Sequence, residues 1–590
     1  MRSVKIRRSQ LLSPFGIGAI LDLSEEALML LGLENWDVSQ PELTLINDDR
    51  LAQRLKIKHF HQPITAIESA LYSGDESGGT AKFARFPEWY FCPACREMLR
   101  VKPWDQKHPE CSGKYKPCSS FKKKLVPVRF ITACSNGHID DFPWISWAHS
   151  SSEICEDPKM RLMQTSASGL AGLSVKCENC NKAKSLSSAA GSDGLKEFNC
   201  RGYRPWLGNS AEIFDNDCKE KQQMLQRGAS NVYFSKIGTS ILIPPFSTRL
   251  YKILEHRDFL LQKSVLGDVD GKVHPKLWEW AEAKYRINKT DLKAAYDSFK
   301  DVDEEQESQT ISEDQFRYQE YEVFLGKDLG GSQDDLRLKN SEKNHLSPLV
   351  SEKISKLVLI EKLVETRCLT GFSRLDPNNK TAPLSYERGK WLPAIRGTGE
   401  GIFLELDNSQ LEIWENNDRV KERITRVYNN MRNYGLATRR SGTDISARFI
   451  LLHSLAHILS RRLTFECGYG SSSIKERIYE SSEHSMHGIL LFTSEVGGEG
   501  TLGGLVAMGE ARKFEALLRS ALNDSMFCSN DPLCGESKGQ GPGSINQAAC
   551  QGCLLLPETA CEESNFFLDR LLLSGNSDDP GLGFFEELLN

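Results

Sequence analysis

Cysteines two residues apart punctuate this chain of 590 residues, and they constrain its fold more than any apolar periodicity does. Cys92 and Cys95, Cys177 and Cys180, and Cys550 and Cys553 each form a Cys-x2-Cys pair, and Cys528 and Cys534 precede the last of them as Cys-x5-Cys. Such a turn places two sulfurs on one ion with backbone N–H groups directed at them, and tetrahedral zinc then needs two further soft donors. The stretch from Ser441 to Glu562 is the part around which the rest is arranged. It ends with five of the 17 cysteines inside 34 residues, in a segment rich in Gly, Ser and Asn. Cys528, Cys534, Cys550 and Cys553 are therefore expected to converge on one zinc, with Cys561 as the alternate for Cys528 or Cys534.

Two further sites are expected upstream. The first is Cys92, Cys95, Cys111 and Cys118. Cys134 and His138, a Cys-x3-His arrangement, compete with Cys111 and Cys118 to complete it, although a buried thiol and a hydrogen-bonded histidine is the reading we favour for them. The second is Cys177, Cys180, Cys200 and Cys218. These three sites, about three structural zinc ions, use 12 of the 17 cysteines and leave Cys134, Cys155, Cys368, Cys467 and Cys561. Closed cysteine sites are staples; catalytic zinc keeps an open position and usually carries His or carboxylate ligands. Between and after the first pairs, Lys114, Lys116, Lys122, Lys123 and Lys124 are interleaved with Tyr115 and Phe121. That mixture suits a phosphate backbone, against the commoner reading of a solvated lysine face.

Several classes are excluded by composition. Hydrophobic residues make up 39% and charged residues 26%, as in ordinary globular proteins, and no apolar run reaches the length of a membrane span. The basic start, MRSVKIRRSQ, is followed by no apolar core or cleavage site of a signal peptide, so a cytoplasmic location is expected. Cysteines in a reducing compartment point to metal rather than disulfides. A net charge of −6 argues against a wholesale nucleic-acid coat but leaves room for a local basic groove.

The expected fold class is α+β multidomain, with N-terminal zinc ribbons, a mixed α/β middle and a C-terminal α/β zinc-binding domain. The expected divisions are an N-terminal arm and small α/β segment at 1–85, ribbons at 86–150 and 151–225, a mixed region at 226–440 with a linker-like insertion near 300–345, and the zinc-binding domain at 441–590. Within the last, Ser446–Leu463 has the spacing of a helix burying one face, Phe449, Leu452, Leu455, Ala456 and Leu459. Ser473 and Glu476 have the spacing of a capping box for a second, short helix. His487–Thr493 reads as a buried strand, and Glu495–Gly504 as a glycine loop leading into a helix with Thr501 as its cap. A helix is also expected near 350–365, and strands near Trp391 and at Gly401–Leu406.

The glycine loop has no lysine after its glycines and carries Glu495 and Glu499, so it is no phosphate-binding Walker loop; no Gly-x4-Gly-Lys-Ser/Thr occurs in the chain. His453 and His457 stand at i and i+4, but Ser454, Leu455 and Ala456 lie between them and the glutamate of a His-Glu-x-x-His zincin is missing. Core histidines are the favoured reading. No ATP hydrolysis by the chain alone is expected.

The runs ECGYGSSSIKERIYES, HGILLFTSEVGGEGTLGGLV and NQAACQGCLLLPETACEESNFFLDRLLL resemble the zinc-binding domain that closes MrfA-type DNA repair helicases. With RRSQLLSPFGIGAILDL, ACSNGHIDDFPWISWAH, QRGASNVYF and GEGIFLEL, the chain resembles over nearly its whole length the DrmB family, subunits of DISARM anti-phage systems. That resemblance implies a non-catalytic zinc-binding subunit that assembles with a separate superfamily 2 helicase, DrmA-like, and helps it hold DNA. The alternative, from the residues, is a metal-dependent hydrolase or nuclease using His453 and His457 with Glu495 or Glu499.

Overall fold

The computed structural model describes residues 6–36, 38, 44–64, 81–105, 107–150, 153–191, 193–208, 213–244, 247–269, 272–305, 311–326, 335–386, 391–434, 445–495, 503–576 and 581–589. The protein is of the α+β multidomain class and divides into two compact units. The first comprises Met1–Ile46, Ile57–Gly238 and Arg367–Ile395; the second comprises Asn47–Lys56, Thr239–Thr366 and Arg396–Asn590.

Much of the first unit is built from small antiparallel sheets whose strands are two to five residues long. In three of them the central strand, Trp89–Phe91, Phe130–Ala133 or Leu173–Cys177, ends at or just before a cysteine. Strands this short bury little apolar area of their own. What they share is an aromatic core in which Phe142, Trp144 and Trp147 meet Met98, Phe130, Met160 and Val175. Trp147 donates its indole N–H to the Ser185 carbonyl at 3.2 Å, so the large ring is buried without stranding its polar atom.

A single guanidinium binds the unit's distant stretches together. Arg374 is fully buried and donates to the carbonyls of Gly137 (2.9 Å), Val232 (2.7 Å) and Gly18 (2.8 Å). Its plane lies against Phe372 and Trp206, at 4.7 and 5.5 Å from the ring centroids. Gly18 and Gly137 both have φ of +82°, and a Cβ on either would meet Phe372 or Ala382 at 2.7 Å. Glycine is therefore required for both carbonyls to reach the same cation. Burial without a carboxylate partner holds the Arg374 pKa down to about 9.

In the second unit the strand segments of Ile354–Ser373 and Trp391–Leu406 that belong to it continue into Met486–Thr493 and then Ile474–Ser481. Alternate residues serve opposite faces. Ile402, Leu404, Ile489, Leu491, Ile474 and Ile478 pack with the helices Ala447–Cys467 and Ala511–Met526. Phe403, Leu490, Phe492 and Tyr479 pack with Tyr321, Val323 and Phe324 of the helix Glu313–Phe324. A sheet covered on both sides explains why HGILLFT reads as continuously apolar.

Several sequence expectations are corrected here. The segment starting at Ile474 is a strand paired residue for residue with Met486–Thr493, because its β-branched and aromatic residues gain a sheet partner that a short helix would lack. The stretch near 350–365 is helical only over Pro348–Lys353; LVLIEKLVETR continues as strand for the same reason. The helix beginning after its Ser446 cap is buried all round from Phe449 to Ser460 and runs to Cys467, one turn past Leu463. Within the insertion expected near 300–345, Lys289–Glu305 reaches in as a helix and Glu313–Phe324 is another, with 306–310 and 327–334 outside the described residues. Thr501 and Glu499 also lie outside the described residues, and the next helix starts at Gly504.

We expect Arg374→Lys to destabilise the protein by roughly 3 kcal/mol, about 6–12 °C in the Tm of a unit this size. An ammonium cannot span three carbonyls in one plane and leaves at least one buried oxygen unsatisfied. Thermal melting of the zinc-loaded protein checks this; an unchanged midpoint would show that the bridge contributes nothing.

Candidate metal centres

Each of the three ribbons of the first unit makes the same knuckle. The backbone N–H of Cys92, Cys134 or Cys177 donates to the carbonyl of Glu97, His138 or Lys182 (2.8, 3.2 and 2.8 Å). The cysteine carbonyl in turn accepts from Arg96, Gly137 or Asn181 (2.9, 3.0 and 2.9 Å), residues whose φ is +65°, +82° and +63°. The second donor of each turn is Cys95, His138 or Cys180. The histidine stands one residue further on than the cysteines do, and its longer side chain reaches the sulfurs from there.

Four donors converge at each knuckle, every ligand atom within 4.8 Å of the others. The first cluster is Cys92, Cys95, Cys111 and Cys118, as the spacing predicts; the Cys92 and Cys118 sulfurs are 3.6 Å apart, and the N–H groups of Cys95 and Lys123 point at Cys92 and Cys111. The expected second quartet is corrected: the structure divides it between two clusters. Cys200 and Cys218 lie with Cys134 and His138, whereas Cys177 and Cys180 lie with His149 and Cys155. The reason is local. Met160–Gln164 pairs with Leu173–Cys177, Met160 directly opposite Cys177, and this hairpin brings Cys155 to the knuckle, while Cys200 is held by its N–H to Glu220. Cys134 and His138 thus do not complete the first site.

Both histidines are oriented for a metal. His138 turns Nδ1 to Cys134 and Cys200 (3.5 and 3.6 Å) and Nε2 to the Asp215 carboxylate at 3.3 Å. His149 donates from Nδ1 to the Ile145 carbonyl at 2.7 Å, which leaves Nε2 facing Cys180 and Cys155 at 3.2 and 3.6 Å. Fixing one ring nitrogen so that the other presents its lone pair is the usual support of a metal-bound imidazole.

In the second unit Cys528, Cys534, Cys550 and Cys553 come together, with Cys528 to Cys550 at 3.4 Å and Cys534 to Cys553 at 3.8 Å. Asn530 donates to both Cys528 and Cys550, and Gln540 to Cys534. Arg570 anchors the knot by binding Asp531 and the carbonyls of Ser525 and Met526. Cys561 does not replace Cys528 or Cys534; it lies with His453, His457 and Glu476. Beside the knot is a cleft of about 1050 Å3 lined by Arg461, Arg462, Gln540, Asn546 and Gln551 among others.

The donor sets fit zinc. Bonds of about 2.0–2.3 Å to a tetrahedral ion imply edges of about 3.8 Å between sulfurs and 3.6 Å between nitrogen and sulfur, matching the 3.4–4.0 Å and 3.2–3.6 Å seen. The thiol electrostatics point the same way. Hydrogen bonds from Cys200 and then His138 hold Cys134 down to about 4, and the bond to Cys134 pushes Cys200 well up. Burial opposes the ionisation of Cys550, yet Asn530 and Cys528 hold it to about 7, while burial raises Cys534 and Cys553. In these two clusters one thiolate is favoured while Cys200, or Cys534 and Cys553, are disfavoured, as like charges in a shared site require; a divalent cation removes that conflict.

Spacing arguments missed His149, Cys155 and Glu476. The recurring signal was a cysteine closing a short apolar or aromatic strand: WYFC, FITAC and LSVKC mark three knuckles, where paired cysteines alone mark two. The lysines of the first ribbon, Lys114, Lys116, Lys122, Lys123 and Lys124, are all exposed, with Phe121 78% exposed among them; Lys124 reaches Glu25 at 3.2 Å.

Residues 7–234 match the family model of a domain of unknown function (DUF8724), and residues 455–554 match that of the MrfA Zn-binding domain. These matches and the cysteine clusters define a multidomain zinc-binding protein. "DISARM protein DrmB" of Bacillus paralicheniformis is 32% identical over 495 residues, 80% of this chain and 85% of that protein. The chain belongs to the DrmB family of DISARM proteins.

The division of the second quartet has a direct test. Cys155→Ser should lower the zinc content of the purified protein by about one ion per chain, because its closed site binds zinc tightly only with four donors. Elemental analysis showing no change would return Cys177 and Cys180 to other partners.

Proposed function

We propose that this protein is a non-catalytic, zinc-stapled subunit of a DISARM defence complex, acting in the cytoplasm, that assembles with a DrmA-like superfamily 2 helicase and contributes part of the complex's grip on DNA. The observation that carries the reading is the match to a DISARM protein across 80% of the chain, together with a MrfA-type zinc-binding domain on a chain whose sequence has no Walker loop. In this reading the motor is supplied in trans and the zinc ions are structural. Their ligands are Cys92, Cys95, Cys111 and Cys118; Cys134, His138, Cys200 and Cys218; His149, Cys155, Cys177 and Cys180; and Cys528, Cys534, Cys550 and Cys553.

Two surface features support the roles of partner and DNA. Phe465, Phe527 and Leu533 are 77, 76 and 83% exposed on the end of the buried helix and around Cys528 and Cys534. Apolar side chains left on a surface in this way suit a protein partner, and a specific interface buries upwards of roughly 1,000 Å2. The loop of the first ribbon presents its exposed lysines around Phe121, a pairing of cation and aromatic that suits phosphate and base.

The hydrolase alternative draws no support from the described residues. Glu495 is exposed and bound through its backbone to Thr398, whereas His453 and His457 are fully buried with Glu476 as their carboxylate; Glu499 lies outside the described residues. No described arrangement gives a substrate access to the two histidines.

The chain co-expressed with its DISARM helicase should elute as one complex, and alone it should neither hydrolyse ATP nor cut DNA with magnesium or manganese. Reversing the charge at Lys122, Lys123 and Lys124 should weaken DNA binding by the complex and lower the slope of log K against log salt by about 0.7–0.9 for each phosphate no longer neutralised. Elution as a separate monomer would sink the trans-motor reading, metal-dependent cleavage would revive the hydrolase, and an unchanged slope would take the ribbon off the DNA path.

A further inference from the structure

The helix Ala447–Cys467, the strand Ile474–Ser481 and the loop after the cysteine knot meet at four buried side chains. His453, His457 and Glu476 are 0, 0 and 2% exposed and Cys561 is 7% exposed, and their ligand atoms lie within 4.8 Å of one another. The helix supplies two imidazoles one turn apart. Glu476, between Ile474 and Ile478 on alternate positions of its strand, faces the same helix that those isoleucines pack against. Cys561 follows Ala560, whose carbonyl accepts from the Glu476 N–H of the strand at 3.3 Å, and its sulfur accepts from the Asn565 N–H at 3.3 Å.

Proton counting shows what this group lacks. His457 Nδ1 lies 2.9 Å from the Leu554 carbonyl, which can only accept, so the ring proton is on Nδ1. Nε2 of a neutral His457 then carries a lone pair, and it faces Glu476 Oε2 at 3.3 Å. Neither atom has a hydrogen-bond partner among the described residues. Nε2 of His453 faces two acceptors at once, Glu476 Oε1 at 3.0 Å and Cys561 Sγ at 3.2 Å. Four electron-rich groups thus converge in a buried pocket, and something positive belongs between them.

We infer that His453, His457, Glu476 and Cys561 bind a further zinc ion, in a closed site of two imidazoles, a carboxylate and a thiolate that is separate from the cysteine knot. Two neutral imidazoles, one carboxylate and one thiolate balance Zn2+ to zero net charge, which is what burial demands. Without metal the same neutrality needs a protonated imidazole beside the carboxylate and a neutral thiol, so loading the ion releases two protons: Zn2+ enters, and the Cys561 and imidazolium protons leave. Edges of about 3.3 Å between oxygen and nitrogen and 3.6 Å between nitrogen and sulfur follow from tetrahedral bonds of about 2.0–2.3 Å, and the observed contacts are close to them. With all four donors buried there is no open position for substrate, so the ion is a staple. It joins helix, strand and the loop after the knot, whereas the knot of Cys528, Cys534, Cys550 and Cys553 crosslinks only the segment before that loop. His453 and Cys561 both lie outside the 455–554 stretch matched as the MrfA Zn-binding domain.

Native mass spectrometry of the full chain, purified with zinc, should show five ions per chain, one for each cluster of four donors. Cys561→Ser and Glu476→Gln should each show four, with the far-ultraviolet dichroism of the wild type. After cobalt exchange, the sulfur-to-metal charge-transfer absorption should fall in Cys561→Ser by about one thiolate's share of the fifteen that the five clusters contain. If either variant keeps the wild-type ion count, the site does not exist as described. If the variants fail to fold, the wild type decides: an anomalous difference peak at the zinc edge between His453 and Cys561 supports the inference, and none there, with peaks at the cysteine clusters, overturns it. This result is independent of helicase or DNA binding, so either proposal can fail alone.

Discussion

Thiolates brought within 4.8 Å of one another repel, and the first unit assembles three such groups in a region whose strands run to only two to five residues. A hairpin of that length cannot offset the entropy of ordering its loops by burying apolar surface. A bound cation reverses the balance, because it turns the repulsion into the strongest local attraction and crosslinks segments that are distant in sequence. Cys134 and Cys200 are drawn from stretches 66 residues apart, and His149 and Cys180 from stretches 31 residues apart. The ribbons and the loops between them depend on that exchange.

The cysteine clusters fix hairpins locally, and other devices connect the hairpins. In the first unit the task falls to Phe142, Trp144 and Trp147, and to Arg374, whose three carbonyl partners come from the runs GIGAI, CSNGH and GASNVYF. A buried guanidinium is a costly choice, and its value lies in geometry: its five donors lie in one plane, and each bond it makes satisfies a carbonyl that would otherwise be stranded. In the second unit a sheet covered on both faces carries the load, and each buried face carries charged or titratable side chains set against one another. Arg477 binds Glu320 at 2.8 Å on one side, and Glu476 meets the two histidines on the other.

For a defence subunit this division of labour has a functional sense. Metal-stapled knuckles hold their loop backbones in place, so the side chains those loops expose, such as the lysines around Phe121, are presented from a fixed frame. An uncharged apolar core would do the same only with longer strands.

The sequence by itself determined the fold class and the presence of several zinc-ribbon knuckles, and it brought Cys550 and Cys553 to a C-terminal group with Cys528, Cys534 or Cys561 left to complete it, because a Cys-x2-Cys turn is a local object whose geometry depends on a few adjacent residues. It also placed the buried helix and the strand beginning near His487, whose apolar patterns are local in the same way. Only the tertiary structure decided which distant donors complete each knuckle. Spacing assigned Cys200 and Cys218 to Cys177 and Cys180, but strand pairing sets partners by register, and the pairing of Met160 with Cys177 brings Cys155 and His149 there instead. The same holds for Glu476, which read as a helix cap until its strand found Met486–Thr493. Once in the sheet, its position between Ile474 and Ile478 turned it toward His453 and His457. That contact depends on a two-residue repeat meeting a helix about twenty residues earlier in the chain, and nothing local to either segment encodes it.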